Sequence, residues 1–271
     1  MGNRVCVVGV AGRMGRTLAQ LVIDHPDLSL AAATEQPGSD WIGQDLGDLI
    51  GVGKLDICVA DGLSAVIEDC DTVIDFTRPE VTLNHLAICT GSAKNLVIGT
   101  TGFTVAEREV IDQAADKIGL VIASNFAIGV NTAFKLVEVA ARILGAEAEV
   151  EIVEMHHSQK IDAPSGTALT LGEIVSKVRG SALSDTVSYG RHSEEHKRPA
   201  GEIGIHSLRG GSVVGEHTVI FSTSGERIEI THKAESRQNF AEGALRACQW
   251  LRNQPHGIYT MSDVLNLDQF Q

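Results

Sequence analysis

Residues 4–15 limit the possible folds more than any other stretch. Arg4-Val-Cys-Val-Val-Gly9 is an almost unbroken apolar run, and Gly9-Val10-Ala11-Gly12-Arg13-Met14-Gly15 follows at once. Beyond it, Met14, Leu18, Leu21 and Val22 recur at the spacing of one helix face. Buried strand, glycine turn and helix in succession open a βαβ unit, which calls for a parallel sheet with helices on its faces. The same alternation continues. Residues 28–34, 55–59, 72–76, 96–98 and 120–122 read as short buried strands, and 79–90 and 104–117 as helices, the second opening on the capping box Thr104-Val-Ala-Glu107. These elements predict a Rossmann-like α/β domain, a doubly wound parallel sheet, over residues 1–127.

After residue 127 the pattern changes. Asn131 is placed to cap a helix ending at Gly145. Residues 149–155, 202–208, 216–222 and 226–232 then alternate polar and apolar, the mark of half-buried strands. They predict a second, α+β domain over 128–236, with a mixed or antiparallel sheet covered by helices on one face. The other face is left for solvent or another subunit. Residues 180–201, rich in Ser, Gly and charge, read as a long loop, and 240–252 as a last helix with one apolar side.

A glycine turn between strand and helix lets backbone N–H groups approach a pyrophosphate, aided by the helix dipole. The usual motif has glycine where Val10 stands. Glu35, 20 residues after Gly15, ends the second strand, where an acid accepts hydrogen bonds from an adenosine ribose. A carboxylate there repels a 2′-phosphate, and the following residue is Gln36 rather than arginine. NADH is therefore favoured over NADPH, with Arg13 and Arg16 the nearby positive charges. Asp75-Phe76-Thr77-Arg78-Pro79, Gly99-Thr100-Thr101-Gly102-Phe103 and Ala123-Ser124-Asn125-Phe126 each end a predicted strand, where this fold binds ligands.

The second domain carries Glu154-Met-His156-His157-Ser-Gln-Lys160-Ile-Asp162-Ala-Pro164-Ser165-Gly166-Thr167. Two imidazoles and an ammonium precede what reads as a helix start, with Pro164 in its first turn and Ser165, Gly166 and Thr167 offering N–H groups. That equipment suits proton transfer to a small substrate bearing carboxylates. Neighbouring strand residues face opposite ways, so at most one of His156 and His157 points at a given substrate atom.

Other classes are excluded or disfavoured. A net charge of −13 and 4% aromatic residues argue against nucleic acid as a partner. No apolar run is long enough to span a bilayer, and the N-terminus reads as a strand, not a signal peptide. Five scattered cysteines without a Cys-x-x-Cys pair suit reduced thiols in a cytoplasmic protein. His192-Ser-Glu-Glu195-His196 matches an inverted zinc-protease string, but its polar surroundings fit a solvated loop, and no metal is expected. His206, His217 and His232 fall in strands and read as structural residues or fringe substrate contacts, and Arg237 begins the last helix. A different two-domain NAD(P) oxidoreductase or a nucleotide-sensing module shares the first domain; a sensor has no need of Lys160 beside an anion site.

Together, Gly9–Gly15, Asp75–Pro79, Gly99-Thr-Thr-Gly102, Glu154–Thr167, Gly215-Glu-His217 and Thr231-His-Lys-Ala234 resemble the 4-hydroxy-tetrahydrodipicolinate (dihydrodipicolinate) reductase family of lysine and diaminopimelate synthesis. The resemblance spans essentially the whole chain. It implies reduction of a cyclic imine dicarboxylate by hydride from NADH or NADPH. It implies that His156 donates or accepts a proton and that Lys160 donates one, with His157, Ser165, Gly166 and Thr167 on the substrate. Gly9, Val10, Ala11, Gly12, Arg13, Met14, Glu35, Gly99, Thr100, Thr101, Ala123, Ser124, Asn125 and Phe126 would hold the cofactor. It further implies a homotetramer built through the second domain and a segment, 237–271, that returns to the first.

Overall fold

The computed structural model describes residues 2–192 and 197–270. In chain order the elements begin β1 (Asn3–Val8), α1 (Arg13–Ile23), β2 (Leu28–Glu35), α2 (Leu46–Ile50), β3 (Val59–Asp61), β4 (Thr72–Asp75), α3 (Pro79–Gly91), β5 (Asn95–Ile98), α4 (Val105–Ala114) and β6 (Gly119–Ile122). There follow α5 (Ile128–Leu144), β7 (Glu149–His156), α6 (Gly166–Val178), α7 (Leu183–Thr186), β8 (Val187–Tyr189), β9 (Ile203–Arg209), β10 (Gly215–Ser222) and β11 (Arg227–Ala234). The chain closes with α8 (Gln238–Leu251), β12 (Gly257–Tyr259) and α9 (Met261–Leu265). Two compact units result, Met1–Ala127 with Gln238–Asn266, and Ile128–Arg237 with Leu267–Gln271.

The first unit is a seven-stranded sheet in the order β12-β6-β5-β4-β1-β2-β3, parallel in every pairing. The order reverses at β1, between β4 and β2, so the loops after β1 and β4 open at the switch point where such sheets bind ligands. β4 and β6 are buried along their whole length, which is why neither shows the polar–apolar alternation of a half-buried strand. One core cluster unites Val5, Val7, Leu18, Val22 and Ile74 with Ala244 and Leu251 of α8. The other unites Cys6, Val73, Leu86, Leu96, Ile98 and Ile111 with Leu120. The capping box of α4 forms as read: Thr104 accepts from the Glu107 N–H and Glu107 accepts from that of Thr104.

In the second unit the sheet order is β11-β10-β7-β9-β8. β7–β10 and β10–β11 are antiparallel, β7–β9 and β8–β9 parallel, so the sheet is mixed. Val150 and Ile152 of β7, Ile203 and Ile205 of β9, and Val219 and Phe221 of β10 pack with Val137 and Ala141 of α5 and with Leu171 and Val175 of α6. Their neighbours Val153, Met155, His206, Leu208, Thr218 and Ile220 point the other way, toward a face that no helix among the described residues covers.

Several expectations need correction. Asn131 does not cap α5, which starts three residues earlier and buries Asn131 inside it. Pro164 is not in the first turn of α6; Ser165 is the cap and Pro164 precedes it. Residues 180–201 are not all loop, because α7 and the edge strand β8 form within them. The expected strand 55–59 shrinks to β3, starting at Val59, with a single bridge from Cys58 to Asp45. Arg237 and Leu267–Gln271 group with the second unit, and α8 starts at Gln238. The His192-x-x-Glu195-His196 string falls mostly on residues 193–196, outside the described residues. Among the described residues no cluster of three or more His, Cys, Asp or Glu is placed to hold a metal, and no helix is long and apolar enough to cross a membrane.

Candidate active site

The first unit gathers its polar loops at the carboxyl ends of four adjacent strands. Gly9 follows β1, Phe76 follows β4, Gly99 follows β5 and Ala123 follows β6. Gly9 adopts a left-handed φ of 64°, and the Gly12 N–H donates to its carbonyl at 3.0 Å. A side chain at Gly15 would put its Cβ 2.3 Å from the Gly9 carbonyl oxygen, so only glycine lets α1 approach the turn. The α1 cap, Gly12, supplies no side-chain bond to the first turn. The uncapped N–H groups fit an anion such as a pyrophosphate.

Glu35, at the end of β2, is drawn into this turn. One carboxylate oxygen accepts from the Ala11 N–H at 2.7 Å and the other from the Gln36 N–H at 2.9 Å. Its charge is thereby fixed beside the glycine turn. Arg16 is held by the Ala11 carbonyl and lies over the Trp41 ring, 5.9 Å from its centroid, while Arg13 is exposed. Val10 and Phe126 are core side chains, so any part they take in holding a cofactor falls to their backbone. Thr100 is buried too, its hydroxyl 2.8 Å from Thr82 Oγ1. Met14, Ala123 and Asn125 are partly exposed, and Gly12, Thr101 and Ser124 are exposed. At Gly99 a Cβ would lie 2.2 Å from the Phe76 ring, which leaves glycine as the one residue that fits.

Asp75, which heads one of the strand-end loops noted in the sequence, organises this edge. Fully buried at the end of β4, it accepts from the Thr77 N–H at 2.8 Å, from the Thr77 hydroxyl at 2.6 Å and from His85 Nδ1 at 2.8 Å. It anchors the loop beside the Gly99 turn.

In the second unit, β7 carries Val150, Ile152, Glu154 and His156 on its inward face. His156 is 8% exposed, and its Nδ1 lies 2.6 Å from Glu154 Oε2. Glu154 is fully buried; its two oxygens accept from both terminal nitrogens of Arg209, at 2.8 and 2.9 Å. Burial alone would raise the Glu154 pKa, but bonds from Arg209, His156 and Ser207 outweigh it and hold the group at about 2. Burial lowers the pKa of His156, against the opposing pull of Glu154.

His156 ends the strand, and the turn that follows is tied to residues 210–213. The Gly210 N–H donates to the His156 carbonyl at 2.9 Å, and the His157 N–H to that of Val213 at 2.8 Å. His157 Nε2 lies 3.5 Å from Arg237 Nη2. Lys160, mostly shielded, donates to both carboxylate oxygens of Asp162 at 2.9 Å. The Ser165 hydroxyl accepts from the Ala168 N–H at 3.2 Å and lies 2.8 Å from His217 Nε2. The Ser165 N–H does not face a ligand as expected; it donates to Glu154 Oε1 at 3.2 Å, because a fully buried carboxylate needs every donor within reach. Gly166 is exposed and Thr167 half-buried in the first turn of α6. His156, Lys160 and the α6 N-terminus are thus brought together on one short connection.

The comparisons decide what this assembly belongs to. The family model described as dihydrodipicolinate reductase, N-terminus, matches residues 3–126, and the one described as its C-terminus matches 129–265. The chain belongs to the dihydrodipicolinate reductase family. A solved structure of a dipicolinate-bound dihydrodipicolinate reductase from Paenisporosarcina sp. TG-14 is 28% identical, with a TM-score of 0.77, over 96% of this chain and 98% of that one. At lower identity the likeness is of fold alone. An amine dehydrogenase from Mycobacterium smegmatis is 17% identical, with a TM-score of 0.63 over 96% of this chain and 95% of that one. A myo-inositol dehydrogenase from Corynebacterium glutamicum ATCC 13032 is 16% identical, with a TM-score of 0.58 over 99% and 94%.

As a dihydrodipicolinate reductase family member, the protein is an NAD(P)H-dependent oxidoreductase of lysine and diaminopimelate synthesis. Two residues given no role in the sequence, the buried Glu154 and the partly exposed Arg209, form the ion pair behind His156. An acid following Val150 and Ile152 on the inward face of β7 was the signal for the first. Nothing marked the second, 55 residues away.

Proposed function

We propose that the protein reduces the dehydrated form of 4-hydroxy-tetrahydrodipicolinate to tetrahydrodipicolinate, with NADH as the preferred reductant. The carrying observation is the single connection that joins a histidine on a buried carboxylate, a shielded lysine and a helix N-terminus. The nicotinamide cofactor supplies the hydride. The Gly9–Met14 turn would hold its pyrophosphate, Glu35 its ribose, and the loops at Gly99–Thr101 and Ala123–Phe126 the nicotinamide. The fixed Glu35 carboxylate disfavours a 2′-phosphate, which supports NADH over NADPH.

The substrate is a six-membered cyclic imine bearing two carboxylates. After hydride adds to the ring, the electron pair rests on an enamine-like system that must be protonated. His156 or Lys160 supplies that proton; a positioned acid of this kind contributes about 10²–10⁴-fold. Lys160 exchanges Asp162 for a substrate carboxylate as its partner. Gly166 and Thr167 hold that carboxylate through the helix N-terminus, with His157 beside it and Ser165 acting through its cap rather than its N–H.

The protein works in the cytoplasm as a homotetramer, and the helix-free sheet face, where Leu208 is 49% exposed, is the interface we favour. The test is oxidation of NADH, followed by its absorbance, with substrate formed in situ from pyruvate and aspartate semialdehyde. Turnover is expected; a folded protein that turns over neither NADH nor NADPH contradicts the reading.

A further inference from the structure

We propose that Glu154 is the positioning residue of this site: it fixes His156 with its hydrogen on Nδ1 and its lone pair on Nε2, and it locks the strand end to the start of α6. This deepens the function proposed above and rests on His156 being a proton-handling group.

The tautomer follows from counting donors. Glu154 accepts two bonds from the Arg209 guanidinium and one from the Ser165 N–H, which is the pattern of a carboxylate and not of an acid that must itself donate. Its pKa of about 2 agrees. An ionised carboxylate only accepts, so His156 Nδ1, 2.6 Å away, must carry the hydrogen. A neutral imidazole has one N–H, which leaves Nε2 as a lone pair. The opposite tautomer would set two lone pairs against each other at that distance, on a carboxylate that is fully buried.

The same carboxylate joins both halves of the connection. Through Oε2 it holds the proton-handling ring, and through Oε1 it holds the cap residue of α6. Arg209 extends the lock, since one of its terminal nitrogens also donates to the Asp162 carbonyl at 2.7 Å. Asp162 is the partner of Lys160. Strand end, lysine turn and helix start therefore share one anchor. An ion pair with one partner fully buried is weak evidence of added stability, because desolvation offsets its attraction. Orientation of the groups it touches is the stronger account here.

Two measurements test this, and they fail separately from the functional assignment. In the wild-type protein, nitrogen chemical shifts of His156, assigned by loss of its signals in His156→Gln, are expected to show Nδ1 protonated and Nε2 bare once the ring is neutral. A neutral ring protonated on Nε2 overturns the proposal, and this holds even if Glu154 variants do not fold. The second measurement is a cycle of Glu154→Gln, His156→Gln and the double variant. Glu154→Gln alone is expected to lower kcat about 10–100-fold with little change in NADH binding, the size of loss typical when the carboxylate orienting a metal-bound histidine is removed. In the His156→Gln background it is expected to cost clearly less, the remainder reflecting the loosened start of α6. Equal losses in both backgrounds mean a structural role only and overturn the proposal. Wild-type kcat in His156→Gln alone would count against the functional assignment and leave the tautomer result to decide this one.

Discussion

His217 gives the site a titration of its own. Burial, reinforced by nearby His156, pushes its pKa from 6.5 to about 4, and the ring meets His156 edge-on at a centroid distance of 5.1 Å. Its Nδ1 is buried without a partner, so a second proton there would find no acceptor. Between pH 6.5 and 4 the unfolded chain binds a proton at this position and the folded one does not. Stability from this group is therefore present above pH 6.5 and lost as the pH falls toward 4, by about 3 kcal/mol at most. Urea unfolding across that window is expected to show a shallower loss in His217→Gln, whose amide keeps a bond to Ser165 without titrating. An identical slope in variant and wild type would refute the assignment. At this scale the sequence was informative where one residue type carries the chemistry by itself. His156, Lys160 and Glu35 stand out in the sequence for that reason, as candidates. The bonds of Ser165 were not, because they depend on Glu154 and on His217, 52 residues away.

Single elements were legible where their ends are written locally. The α4 capping box and the Gly9–Gly15 turn need only residues within a few positions of each other. Three-residue strands such as β8 and β12 carry too little pattern to be seen; each exists by pairing with one longer neighbour. The start of α5 was misplaced because Asn131, a good cap by type, is buried within the helix instead. Two predictions belong here. Gly15→Ala is expected to distort the glycine turn, since the added Cβ would press on the Gly9 carbonyl oxygen, and to weaken NADH binding at least tenfold, roughly, in fluorescence titration. Unchanged binding would show that the turn does not touch the cofactor. Ser165→Ala removes the α6 cap and is expected to destabilise the protein by about 1 kcal/mol in urea unfolding. No loss would mean that the cap is replaced by another group.

At the scale of the molecule, the change from buried parallel strands to alternating ones at residue 127 was the readable sign of a second unit. Its sheet needs a partner for the face that carries Val153, Ile220 and Leu208, and periodicity alone does not say whether that partner is solvent or protein. Light scattering is expected to give four times the 28.8 kDa chain mass, and Leu208→Glu to reduce it; a wild-type monomer contradicts the tetramer. The kcat/KM ratio of NADH to NADPH is expected to exceed one because Glu35 is held in place by two backbone donors. A strong NADPH preference would show that this charge is out of reach of the ribose.

The connection from β7 to α6 is the centre of the account, since it is said to supply the protons while the other unit holds the cofactor. The direct measurement is kcat alongside NADH dissociation for His156→Gln and Lys160→Ala. In each, kcat is expected to fall by about 10²-fold or more, with NADH affinity near that of the wild type. Wild-type turnover in both variants would contradict it.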